Sequence, residues 1–353
     1  MRTVRLSIVG FGVVGRWLAE AIQRRRAWLE AECDADVVIV AVANRRDGFI
    51  YREAGFDVPR LLDMSVSGRP LLEYPDSRQW TTAVDGLDAT TCDVLAEASN
   101  TNPRDPEPAL SHLKFALIRG THVVTSSKGA CAAAAVELIA LARQRSVQFR
   151  MESTVMSGTP VLSTIREGLA GARVLEMRGI LNGTANYILT LMSRGMDYST
   201  SLASAQSQGF AEPDPADDVE GHDVVAKVRV LAAAAFGQSI DADQVTRRGI
   251  VGVSLDSVQQ AMRDDKRLRL VATIRVKDGG GWPLAGSQFV EARVEPIALP
   301  LTDPLARVEG VMNALTIRTD TTSEVTIIGP GAGREQAGQG MFADLVAVLR
   351  GGI

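Results

Sequence analysis

A short glycine-rich segment constrains this chain more than any other feature. Val4 to Val9 is an apolar run that reads as a buried strand, and it leads into Gly10-Phe11-Gly12-Val13-Val14-Gly15. Helical spacing follows from Val14 to Arg25, with Leu18, Ala21 and Ile22 on one face. Asp36 to Ala43 is a second, almost uninterrupted apolar run, as in a parallel strand covered on both faces. Strand, G-x-G-x-x-G, helix and strand together make a βαβ unit that binds a dinucleotide. The first glycine permits the tight turn. The second lets a pyrophosphate approach the backbone, and the third lets helix and strand pack closely. The helix N-terminus offers free N–H groups and partial positive charge to the phosphates. Gly10, Phe11, Gly12, Val13, Val14 and Gly15 are therefore cofactor-binding candidates.

The second strand ends in Asn44-Arg45-Arg46. Where such a strand ends in a carboxylate, that group holds the adenosine ribose and repels a 2′-phosphate. A guanidinium binds that phosphate instead. NADP is the expected preference, with NAD as a second cofactor helped by Asp47. The alternation continues with strands at 92–98 and 122–126, and helices at about 108–119 and from Lys128 to about Arg145. The stretch 44–91 has no strong periodicity. From about residue 150 the texture changes. Helices are expected at Leu181–Arg194, Thr200–Gln208 and Gly221–Phe236, and sequential strands at 269–276, 289–298 and 314–328. The expected fold is α/β: a Rossmann-type doubly wound domain at 1–149, completed by 329–353, and an α+β catalytic and dimerisation domain at 150–328.

Composition excludes several classes. A net charge of −4 argues against a general nucleic-acid binder. Cys33, Cys92 and Cys131 are isolated, and His112, His122 and His222 are scattered, so no zinc or disulfide framework is expected. No apolar run approaches the ~20 residues of a membrane span. With no signal-peptide pattern at Met1, a cytoplasmic location is expected.

Three groups of polar residues suggest chemistry. Lys128 follows the strand 122–126, where an open α/β sheet lines its ligand crevice. A lysine opening a helix faces the wrong end of the helix dipole, which favours a functional role. Asp223 and Lys227 share a face of one helix. In an ordinary helix such a pair would be a solvated ion pair worth about 0.2–0.5 kcal/mol. Here Glu212, Asp214, Asp217, Asp218 and Glu220 crowd around it, an arrangement suited to a substrate with an ammonium group near a carbonyl. Asn182-Gly183-Thr184 opens another helix, as a cap or as a holder of a substrate carboxylate.

These stretches carry a family resemblance. Gly10–Gly15, Val123–Ala130, Glu152–Pro160, Gly179–Leu189, Gly329–Gly333 and above all Gln206–Lys227 are similar to homoserine dehydrogenase, over nearly the whole chain. The resemblance implies reversible reduction of L-aspartate 4-semialdehyde to L-homoserine, toward threonine, isoleucine and methionine. It implies Lys227 as proton donor and acceptor, with Lys128 near nicotinamide and substrate. Reverse oxidation needs Lys227 neutral, which burial beside Lys128 would favour. It implies Glu212, Asp218, Asp223, Asn182, Gly183 and Thr184 at the substrate. Ser99, Asn100, Thr101 and Gly331 join the cofactor residues. Glu152, Val155, Ser157 and Thr159 resemble a loop that holds a monovalent cation such as sodium. The partners implied are a small-molecule substrate and a second copy, as a homodimer or dimer of dimers. No aspartokinase or ACT domain is read within the chain, so threonine feedback through one is not expected. Two other classes compete: a thiol-dependent semialdehyde oxidoreductase using Cys131, and a dinucleotide-binding regulator without turnover.

Overall fold

The computed structural model describes residues 1–99, 105–277 and 290–352. They form two compact units, Met1–Gly158 with Gly333–Ile353, and Thr159–Ala332.

The first unit runs β1 (Arg2–Val9), α1 (Val13–Arg24), α2 (Arg26–Cys33), β2 (Ala35–Asn44), β3 (Gly48–Tyr51), α3 (Val58–Val66), β4 (Arg78–Trp80), α4 (Ala83–Ala89), β5 (Val94–Glu97), α5 (Ala109–Ile118), β6 (His122–Thr125), α6 (Lys128–Gln144), β7 (Phe149–Arg150) and α7 (Ser153–Met156). Its seven strands lie in the order β4-β3-β2-β1-β5-β6-β7. β1 pairs in parallel with β2 and β5, and β5, β6 and β7 continue in parallel. β3 and β4 add an antiparallel edge. This is the doubly wound sheet that the alternation predicts. The antiparallel edge is additional, within the stretch that lacks periodicity.

The C-terminal helix, Arg334–Arg350, returns to this unit. Its Met341, Phe342, Leu345, Val348 and Leu349 join Val4, Leu6, Ile8, Leu18 and Ile22 in one buried cluster. The division falls at Gly158 rather than at 149 because α7 belongs here. The Glu152 N–H donates to Asp344 Oδ2 at 2.7 Å, and the Ser153 hydroxyl to the Ala337 carbonyl at 2.6 Å.

The second unit runs β8 (Val174–Ile180), α8 (Gly183–Ser193), α9 (Tyr198–Ser207), α10 (Ala216–Val219), α11 (His222–Phe236), β9 (Thr246–Arg247), α12 (Leu255–Arg263), β10 (Lys266–Val276), β11 (Val290–Pro300), β12 (Met312–Thr319) and β13 (Glu324–Pro330). The sheet order is β13-β12-β8-β10-β11-β9. Ile180, Val271, Leu299, Leu305 and Ala314 make one of its apolar clusters. The expected strand 314–328 is two strands. They turn at Asp320–Ser323, where Ser323 takes φ +65° and the Thr319 hydroxyl accepts the Thr322 N–H. No helix among the described residues is long and apolar enough to cross a membrane.

Candidate active site

In the first unit each glycine of the loop has a distinct physical reason. Gly10 has φ +95°, and a Cβ there would lie 2.2 Å from the Ala98 carbonyl carbon. On Gly15 a Cβ would lie 2.4 Å from the Gly10 carbonyl oxygen, so it is the residue that lets α1 sit on the sheet. Gly12 is different: a Cβ there would meet nothing within 4 Å. Packing does not require glycine at this point, and the space over it is open. Gly12 also caps α1 without a side-chain hydrogen bond. The loop therefore fits the pyrophosphate of a dinucleotide. Phe11 is 2% exposed, so only its backbone is available to a ligand, whereas Val13 is exposed beside it. Val14 is half-buried against the core.

At the end of β2, Asn44 and Asp47 bond to each other. Asn44 Nδ2 donates to Asp47 Oδ2 at 2.8 Å, and the Asp47 N–H to Asn44 Oδ1 at 2.6 Å. Arg46 Nε donates to Asp47 Oδ1 at 2.9 Å, and its guanidinium also reaches the Gly68 and Arg69 carbonyls. These bonds outweigh burial and hold the Asp47 carboxyl below its ordinary range. Arg46 is thus paired with Asp47, although it is exposed like Arg45. Ser99 follows β5, and Lys128 is the first, half-buried residue of α6. Asn100 and Thr101 lie outside the described residues.

The second unit assembles a buried polar cluster from α8, α10 and α11. Lys227 is 8% exposed. Its Nζ donates to the Leu181 carbonyl at 2.6 Å and lies 3.0 Å from Asp223 Oδ2. Asn182 Nδ2 bridges Asp218 Oδ1 at 2.7 Å and Asp223 Oδ2 at 3.0 Å, while its Oδ1 caps α8 by accepting the Ala185 N–H. Burial pushes the Asp218 carboxyl above its ordinary range, and the nearby Asp223 adds to this. The bonds from Asn182 and Thr184 and the charge of Lys227 pull the other way. Gly183 is glycine because a Cβ would lie 2.7 Å from the Val311 carbonyl oxygen. The Thr184 hydroxyl donates to the Phe210 carbonyl at 2.7 Å.

Sequence reasoning gave no role to Asn186. This buried amide, one helical turn after Asn182, donates to the Val308, Gly310 and Met312 carbonyls and so fixes the segment that lies on Gly183. The position four residues after Asn182 was its only signal in the sequence. Glu212 stands exposed on the α9–α10 connection, and its backbone carbonyl accepts from Gln206 Nε2. The structure does not bring its carboxylate into the cluster. Gly331 lies against Asn313: a Cβ on it would sit 2.0 Å from Nδ2.

The expected cation residues are divided. Glu152, Val155 and Ser157 are buried at α7 in the first unit, and Thr159 opens the second. The Ser157 carbonyl oxygen packs on Gly340, where a Cβ would come within 2.5 Å. The Thr159 carbonyl accepts the Val161 N–H at 2.9 Å. Cys131 is buried, and burial together with the charges of Glu97 and Asp344 pushes its thiol far up, which disfavours a thiolate.

Comparison with known proteins gives one consistent result. Residues 160–346 match the family model described as homoserine dehydrogenase, and residues 10–152 match the NAD-binding domain of homoserine dehydrogenase. The chain is 37% identical to an NAD(+)-dependent homoserine dehydrogenase of Pseudomonas canavaninivorans, over 99% of this chain and 97% of that one. It is 31% identical to a homoserine dehydrogenase of Methanocaldococcus jannaschii, over 97% of each. A hyperthermophilic archaeal homoserine dehydrogenase solved in complex with NADPH superposes with a TM-score of 0.80 at 28% identity, covering 98% of both chains.

Proposed function

The chain belongs to the homoserine dehydrogenase family, and from that premise we propose how its residues divide the work. The reaction is the nicotinamide-dependent interconversion of L-aspartate 4-semialdehyde and L-homoserine. The dinucleotide, when bound, supplies or accepts the hydride. In the direction of reduction, negative charge develops on the aldehyde oxygen. The Lys227 ammonium stabilises it and donates the proton; in oxidation the neutral amine takes the proton back. The observation that carries this reading is a buried lysine held at 2.6 Å by the Leu181 carbonyl and at 3.0 Å by Asp223. A lysine serving only as a surface charge is not held this way.

Asp218, joined to Asp223 through Asn182, faces the substrate's ammonium group. The Gly183 and Thr184 N–H groups at the start of α8 receive the substrate carboxylate. Lys128, the first residue of α6, serves the nicotinamide half of the cofactor. No step of the reaction is routed through a monovalent cation: the Thr159 carbonyl accepts the Val161 N–H, and Ser157 is buried against Gly340. A rate independent of sodium and potassium at fixed ionic strength would agree with this.

For the cofactor, NADP remains our expected preference, resting chiefly on Arg45, since Arg46, though exposed, is paired with Asp47. Losing one charge-assisted pair costs about 1.5–3 kcal/mol, roughly ten- to a hundredfold. Arg45→Ala should lower kcat/KM for NADPH by about that factor and leave NADH nearly unchanged. A wild-type preference for NADH, as the Pseudomonas relative's name suggests, would place Asn44 and Asp47 in control instead. A homodimer through the second unit's sheet is supported by the edge strand β13, where Ile328 is 52% exposed and Val325 and Ile327 are half-buried. Light scattering tests it. Activity itself is tested by following dinucleotide reduction at 340 nm with L-homoserine. The absence of homoserine-dependent reduction with either NAD or NADP would overturn the reading.

A further inference from the structure

Glu97 ends β5 and is 0% exposed. Nothing in the reaction described above uses it. β5 otherwise presents Val94, Leu95 and Ala96 to the core, and a position needing only packing would continue with an apolar side chain, because a buried carboxyl is unfavourable unless it is well bonded. Glu97 is well bonded. Its Oε1 accepts the Ser99 N–H at 3.2 Å and the Ser99 hydroxyl. Its Oε2 is 3.4 Å from the hydroxyl of Thr125, the last residue of β6, which also donates to the Glu97 backbone carbonyl at 3.0 Å. The same hydroxyl accepts the N–H of Ser127, the cap residue just before Lys128, at 2.9 Å. On the other side, the Ala98–Ser99 peptide lies on Gly10, where a Cβ would come within 2.3 Å of the Ser99 nitrogen. His112 of α5 closes the group, with Nδ1 3.6 Å from Oε1.

One buried side chain thus connects the ends of β1, β5 and β6, the edge from which crevice residues emerge. Sheet order says which half of the dinucleotide this concerns. Asn44–Arg46, on the adenosine side, follow β2, and β5 and β6 lie on the opposite side of β1. A dinucleotide with its pyrophosphate at the start of α1 therefore carries its nicotinamide half over β5 and β6. We propose that Glu97 is a positioning residue for the nicotinamide half of the site, fixing the Ser99 loop and the Lys128 loop against Gly10. This rests on the dinucleotide reading given above.

The test compares two ligands on the full-length protein: NAD(P)H, and ADP-ribose, which lacks the nicotinamide. Glu97→Gln keeps size and one acceptor but loses the charge. It should weaken NAD(P)H binding about tenfold, as expected for one lost charge-assisted bond, with ADP-ribose affinity and the KM for homoserine within about twofold. Thr125→Val, nearly isosteric, should show the same split, and it decides the matter should Glu97→Gln fail to fold. Equal weakening of both ligands would mean a merely structural role and overturn the proposal, as would unchanged NAD(P)H binding. Wild-type protein that binds neither ligand would overturn the dinucleotide reading itself.

Discussion

Asp218 and Lys227 show how burial is balanced in this protein. Removing a carboxylate or an ammonium from water is costly unless it is paired and hydrogen-bonded. Lys227 has both Asp223 and the Leu181 carbonyl. Asp218 is less well compensated, and its carboxyl is raised above the ordinary value of 3.8. The sign of the consequence follows from linkage. A carboxyl raised in the folded state binds its proton more tightly there than in the unfolded chain, so stability falls as pH rises from 3.8 upward, and the cost is complete once pH has passed the raised folded-state value. Asp218→Asn keeps an acceptor for Asn182 and removes the like charge beside Asp223. Its Tm at pH 7 should equal or exceed that of wild type by up to about 3 °C, an advantage that shrinks toward pH 3.8. Its KM for homoserine should rise about tenfold or more through the lost charge pair. A lower Tm at neutral pH with an unchanged KM would show that Asp218 is there for the fold alone.

The turn from β1 into α1 makes a sharper contrast between fold and binding. A methyl group on Gly15 would collide with the Gly10 carbonyl oxygen at 2.4 Å, whereas one on Gly12 meets no protein atom within 4 Å. Gly15→Ala should lower Tm by several degrees. Gly12→Ala should leave Tm within about a degree yet weaken dinucleotide binding, because only the pyrophosphate needs that space. Equal thermal losses in the two variants would contradict this division. Such glycines are legible in sequence because their spacing follows from backbone geometry. α1 is legible because burial writes a helical period, and β2 because its apolar run is almost uninterrupted. β4 is not, because Arg78 and Gln79 are exposed and leave no apolar run, and β3 is not, because Phe49-Ile50-Tyr51 is too short a run to show a period. β12 and β13 read as one strand because their turn is built from threonines, which also favour strands. Within the site, the Asp223–Lys227 pair was visible as an i,i+4 spacing. Asn182's bridge to Asp218 and Asp223 was not, because its partners stand 36 and 41 residues away. Glu97 was passed over because a lone glutamate closing a strand looks like a surface residue.

On the proposed reading the two units carry separable tasks, a dinucleotide loop in one and a lysine–carboxylate cluster in the other. Neither Cys131 nor Cys92 is favoured as a thiolate nucleophile in the first unit. Cys131 is buried and its thiol is raised, and burial pushes the Cys92 thiol up to about 11, so iodoacetamide should leave turnover unchanged. Rapid inactivation that homoserine prevents would revive a thiol mechanism. The division of tasks is tested most directly by Lys227→Ala, measured for homoserine-dependent dinucleotide reduction at 340 nm and, on the same sample, for dinucleotide affinity. The expected result is a kcat lower by about 10²–10⁴-fold, the usual worth of a positioned proton donor, with the dinucleotide Kd within about twofold. Turnover near that of wild type, or dinucleotide binding lost together with turnover, would contradict the account.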